Sequence, residues 1–312
     1  MRKSLIVSLV LLLAVGMVLS ACSSSSDNAT PEGEKDAGKV EGKKDDKAAK
    51  GDGGEEGGNV KLVYVNWDSE TASTNVIKKV LEDEGFNVEI TAVDNAPMWA
   101  AVADGSADGM VAAWLPATHK GPFAKYGDQV VDLGVNLEGA KIGLVVPEYV
   151  DIKSIEEMNK HKDKFNKKIV GIEPGAGVME ATENAIKDYN LELELQQSSS
   201  AAMTAELTRA IGKKEWIAVT GWTPHWKFAK YDLKYLEDPK GIFGDTESIH
   251  TIVRKGLKEE MPRVYEILDN FSWTVEDMEA VMLKIEEGES PEKAAEAWVK
   301  DNPDKVKEWT GK

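Results

Sequence analysis

Cysteine is almost absent: Cys22 is the only one in 312 residues. No intramolecular disulfide can form, and thiol chemistry is excluded from the rest of the chain. Histidine is nearly as scarce. The four present, His119, His161, His225 and His250, show no His-x-His or His-Glu-x-x-His spacing, so no metal site is expected. A Gly-x-Ser-x-Gly elbow and a Gly-Lys-Ser/Thr phosphate loop are both missing, and no cofactor is expected. Positive charge is also short, with 38 Lys and Arg against 55 Asp and Glu and a net charge of −17. A chain this acidic is a poor partner for nucleic acid, whose phosphates need a basic face.

Long apolar runs are missing too, apart from Leu5 to Leu19 behind Arg2 and Lys3. That run is short for a membrane span and ends in the lipobox-like Leu19-Ser20-Ala21-Cys22. Residues 1–21 are therefore expected to be a signal peptide, and Cys22 to carry lipid that anchors the mature chain to a membrane surface. From Ser23 to Asn59 the composition turns to Ser, Gly, Lys, Asp and Glu, with Val40 the only large apolar residue. Such a segment buries too little to offset its ordering entropy, so residues 22–59 are expected to be a tether. Subtracting the leader's +2 and the tether's −4 from the total leaves the body at −15, a self-repelling, soluble domain expected to be a monomer.

What the body does have is a repeat. Ala113-Trp114-Leu115-Pro116 and Gly221-Trp222-Thr223-Pro224 each follow a short apolar run that predicts a buried strand. Stepping back 47 residues from each tryptophan reaches Trp67 and Gly175, both where a strand passes into a helix. The strands Val60 to Val65, Asn87 to Ala92 and Met110 to Ala113 alternate with helices, and so do Lys168 to Ile172, Leu191 to Gln196 and Trp216 to Thr220. This alternation implies parallel βαβ units with ligands off the carboxyl ends of the strands. An α/β fold of two lobes around a cleft is predicted, with lobe 1 at 60–145, a connector at 146–167 and lobe 2 at 168–312.

Trp67, Trp114, Gly175 to Val178 and Trp222 all fall at those strand ends. The turn Gly171-Ile172-Glu173-Pro174-Gly175-Ala176-Gly177-Val178 opens a helix with free N–H groups, a ready anion site. It lacks the third glycine of a dinucleotide fingerprint, so a small carboxylate fits better than a polyphosphate. Indole is the best aromatic partner for a cation, at about 0.5–2 kcal/mol per ring. Quaternary ammonium suits a box of rings especially, because it has no N–H to lose when water leaves. Any one strand-end tryptophan fits core packing equally well; three at equivalent positions point to a cage. His119, five residues past Trp114, is either a donor to the carboxylate or a loop histidine, and Asp68 and Glu70 read as helix-start residues. Trp99, Trp216, Trp226, Trp273, Trp298 and Trp309 read as packing.

Asn66-Trp67-Asp68-Ser69-Glu70, Ala113-Trp114-Leu115-Pro116-Ala117-Thr118-His119-Lys120, Gly171 through Gly177 and Thr220-Gly221-Trp222-Thr223-Pro224-His225-Trp226 together resemble the glycine betaine-binding lipoproteins of osmoprotectant ABC importers. The resemblance covers nearly all of Val60 to Trp309. It implies a bilobed type II periplasmic-binding-protein-like fold in which Trp67, Trp114 and Trp222 form a prism around a trimethylammonium group. The carboxylate would be held by the N–H groups of Gly177 and Val178 and by the His119 imidazole. It also implies a non-enzymatic receptor on the outer face of the bacterial cytoplasmic membrane that hands glycine betaine or a related betaine to an ABC permease. Choline and carnitine are the alternatives within the class, and an exported enzyme acting on quaternary amines is the alternative outside it. Some members carry the two halves in the opposite order, and some have isoleucine where Val178 stands.

Overall fold

Two β-α-β-α-β runs of the same topology organise the computed structural model, which describes residues 57–312. The leader, Cys22 and the tether up to residue 56 lie outside the described residues. The first run is β1 (Asn59–Tyr64), α1 (Asp68–Asp83), β2 (Asn87–Ala92), α2 (Asn95–Ala103) and β3 (Gly109–Leu115), with β1 parallel to both β2 and β3. Helix α1 places Val76, Ile77, Val80 and Leu81 on one face, and all four are fully buried. After α3 (Lys120–Tyr126) comes the long strand β4 (Val130–Pro147). The second run repeats the first as β5 (Lys168–Val170), α4 (Gly177–Asp188), β6 (Glu194–Gln196), α5 (Ser200–Lys213) and β7 (Val219–Thr223), with β5 parallel to β6 and β7.

The chain continues through α6 (Trp226–Lys230), β8 (Leu233–Tyr235), β9 (Glu247–Arg254), α7 (Leu257–Glu260), α8 (Pro262–Asn270), α9 (Val275–Glu286), α10 (Pro291–Asp301) and α11 (Pro303–Thr310). Helix α9 starts at a capping box of Thr274 and Asp277, and α10 at Ser290 with proline in its first turn. Among the described residues no helix is long and apolar enough to cross a membrane.

Strands β4 and β9 are the antiparallel members, and they join the two runs in the order β2-β1-β3-β9-β4-β7-β5-β6, with β8 on β4. Strand β9 pairs with β3, and β7 pairs with β4, so each parallel trio gains one antiparallel neighbour. Strand β4 serves both lobes: Val130 to Ala140 pair with β9, then Lys141 to Val145 pair with β7. The chain passes between lobes here and again just before Glu247, which pairs with Ala140.

This pairing corrects the boundaries expected from the sequence. The first lobe is 59–140 together with 247–312, and the second is 141–246. The C-terminal segment 247–312 returns because β9 is hydrogen-bonded to β3, and α9 and α10 pack on α1. Residues 146–167 are no connector. Val145 to Pro147 pair with β8, Ser154 bridges Glu237, and Ile155–His161 forms a short 3-10 helix capped by Ser154, all within the second lobe.

Candidate ligand-binding site

The repeat places its tryptophans by equivalent devices. Trp114 is near the end of β3 in register with Ile249 of β9, and Trp222 is near the end of β7 in register with Ile142 of β4. Trp67 follows β1 and caps α1 in extended conformation, its N–H turned back onto the Val65 carbonyl at 2.7 Å. The three side chains converge on one cavity, which Thr118, Ile142, Ile172, Ala176, Gly177 and Val178 complete. Its atom-free space, the open mouth between the lobes included, is about 270 Å³. The rings of Trp67 and Trp222 lie 6.5 Å apart at 50°. Trp67, Trp114 and Trp222 are 6%, 2% and 4% exposed, so the cleft is shut over them.

One rim of the cavity is the start of α4. Ala176 caps this helix without a side-chain hydrogen bond, leaving first-turn N–H groups at Gly177 and Val178 for an anion. Only glycine fits at 177, because a Cβ there would collide with the Thr118 carbonyl of the other lobe. Glu247 holds that carbonyl's loop in place, accepting the Ala117 and Thr118 N–H groups at 3.1 and 3.0 Å.

His119 lies behind the cage wall, fully buried, with its ring 6.0 Å from Trp67 and 5.9 Å from Trp99. Its Nδ1 accepts the Trp114 backbone N–H at 3.1 Å, which puts the ring proton on Nε2. That Nε2 is buried with no protein partner. Burial holds the imidazole pKa down to about 3, so the group is a neutral donor. His225 repeats the pattern, with Nδ1 accepting from the Lys227 N–H at 3.2 Å. Its Nε2 lies 3.5 Å from Asp68 Oδ2. Burial and the neighbouring Lys227 push its pKa well down, so the contact is no ion pair.

Polar contacts cross the cleft at several points. Trp67 Nε1 donates to Glu173. Asp68 accepts from Trp226 Nε1 and from the Ser200 hydroxyl, both at 2.8 Å. Asn95 donates to the Gly175 carbonyl at 3.1 Å, and the His225 N–H donates to Glu279 at 3.3 Å.

The structure therefore gathers Trp67, Trp114, Trp222, Gly177 and Val178 at one cavity and sets His119 one layer back. Ile172 and Ala176, which also line the cavity, belong to the turn singled out in the sequence; Thr118 and Ile142 are lining residues that sequence reasoning missed, Ile142 because its place opposite Trp222 is set by the β4–β7 register. Two readings change. Trp226 is buried but spans the lobes rather than packing one core. Glu70 faces inward at 1% exposure, accepting Trp114 Nε1 at 2.6 Å.

A two-lobed α/β domain closed over an aromatic cavity, with the chain crossing twice between the lobes, defines an extracytoplasmic substrate-binding protein of the periplasmic-binding-protein fold, a binder rather than an enzyme. The family model for OpuAC, the substrate binding domain of ABC-type glycine betaine transport systems, matches residues 58–301, and the chain belongs to that family. It is 58% identical over 151 residues to the glycine betaine/carnitine transport binding protein GbuC of Listeria monocytogenes. That match spans 47% of this chain and half the length of the relative. Lactococcal OpuAC in its closed-liganded conformation with glycine betaine superposes with a TM-score of 0.78 at 54% identity, over 81% of this chain and 99% of that one. A choline binding protein in complex with choline gives 0.76 at 30% identity, over 81% and 91%.

Proposed function

We propose that the chain captures glycine betaine, or a betaine close to it, between its lobes and delivers it to a membrane ABC permease. The carrying observation is the convergence of three indoles on an apolar cavity whose rim is an uncapped helix N-terminus. Trp67, Trp114 and Trp222 surround the trimethylammonium group with ring faces, which attract the cation and cover its methyls. A primary ammonium in this cage loses its hydrogen bonds to water and gains none. The carboxylate takes the N–H groups of Gly177 and Val178 and the Nε2–H of His119. Choline leaves those buried donors unpaired, at about 1–3 kcal/mol each, so a carboxylate-bearing ligand is favoured. Cys22 carries the lipid that keeps the body, as a monomer, at the outer face of the cytoplasmic membrane.

Calorimetric titration with glycine betaine, proline betaine, carnitine and choline tests the reading, with glycine betaine expected to bind and choline to bind more weakly. In the same assay Phe at 67, 114 or 222 should retain part of the affinity and Leu much less, because the cation needs a π face. Leu equal to Phe at all three positions would reduce the rings to apolar surface and sink the cage.

A further inference from the structure

We infer that the carboxylates of Glu70 and Glu173 act through the cage indoles as determinants of specificity for a cationic ligand, each accepting one ring's N–H and loading negative charge onto that ring. The inference rests on the betaine reading and names residues that set its charge preference without touching the ligand.

Glu70, on the first turn of α1, is fully enclosed: one oxygen accepts Trp114 Nε1 at 2.6 Å and the other the Ser69 hydroxyl at 2.5 Å. Glu173, from the second lobe, accepts Trp67 Nε1. The third ring is different. Trp222 Nε1 has no partner, and the buried Lys227 Nζ sits 4.3 Å from its centroid. Two of the three cage rings are thus backed by a carboxylate.

An indole N–H needs no carboxylate for satisfaction. Trp309 in this same protein donates to the Ser272 carbonyl at 2.9 Å. A neutral acceptor costs little to bury, whereas an enclosed carboxylate is expensive. Desolvation lifts the Glu70 pKa to about 7, against the Ser69 and Trp114 hydrogen bonds that lower it. A costly charge retained at the wall of the cavity has a use there: an ionised acceptor polarises its donor, and a negative charge one ring away is strongly felt where water is excluded. The ligand is drawn by charge while its methyl groups meet only ring faces.

The test uses two ligands of one shape. Glycine betaine and 3,3-dimethylbutanoate share the carboxylate and the three methyls and differ in having N⁺ or carbon at the centre. Parent and Glu70→Gln proteins are titrated with both in mildly alkaline buffer; glutamine keeps an acceptor for Trp114 and removes the charge. Betaine affinity should fall about tenfold, or about 1.4 kcal/mol, while the neutral ligand changes by less than about threefold, so the affinity ratio drops. Equal losses for both ligands would make Glu70 a prop for Trp114 and overturn the inference, and so would an unchanged ratio. Glu173→Gln is the second variant, expected to lower the same ratio, and it decides the matter if Glu70→Gln does not fold. Failure of the parent to bind betaine would overturn the functional reading as well; parental binding with unshifted ratios in the variants overturns this inference alone.

Discussion

His119 shows how one residue can serve fold and ligand together. Its Nδ1 occupies the Trp114 N–H and its ring fills the space beside Trp67 and Trp99, while Nε2 is left to donate. His119→Ala should therefore weaken betaine binding by about 1.5–3 kcal/mol, the scale of a hydrogen bond to a charged group. It should also cost the ligand-free protein about 2–4 kcal/mol through the void and the orphaned N–H. Titration and denaturant unfolding measure the two; lost stability with parental affinity would leave His119 a packing residue. The pH dependence has a fixed sign. The folded pKa of about 3 lies below the ordinary 6.5, so stability present above about 6.5 is lost as pH falls toward 3, and less steeply in the alanine variant. Trp67, Trp114 and Trp222 were legible in the sequence because each closes an apolar strand run. Glu70 was not: an acid in a helix's first turn already has an explanation in the helix dipole, and its indole partner is 44 residues away.

At the scale of elements, the start of α4 carries the proposed anion site and lies tight against the Thr118 carbonyl of the other lobe. Gly177→Ala should leave each lobe folded but keep them from meeting, since the new methyl occupies the place of the Thr118 carbonyl. The expected outcome is loss of betaine affinity by at least about a hundredfold, or roughly 3 kcal/mol. X-ray scattering should find the variant no more compact with ligand than without. Contraction equal to the parent's would show that the lobes tolerate the methyl. The two β-α-β-α-β runs were readable from alternation and spacing, but the destination of β9 was not. Ile249, Ile252 and Val253 are fully buried, and an apolar run of this kind predicts a strand without naming its neighbour. The same limit applies to α9 and α10: Met278, Val281 and Met282 say which face is apolar, not that it covers α1.

For the whole molecule, the body's charge of −15 opposes association of copies, and on the lipoprotein reading the anchor would rest on a single atom, the sulfur of Cys22. Cys22→Ser should shift the protein from the detergent phase to the aqueous phase, with betaine affinity unchanged. Partitioning like the parent's would dismiss the lipobox. The cross-cleft bonds of Asp68 and Glu173 sit beside the cage, whereas among the described residues the chain joins the lobes at two adjoining points, within β4 between Ala140 and Lys141 and just before Glu247 of β9. The body is thus a book whose spine is those two adjoining crossings and whose clasp lies next to the cage. Opening the lobes breaks that clasp, so on the proposed function unlatching and release would be a single step. A permease gripping one lip on each lobe would then need no contact with the ligand to set it free; leverage would be enough.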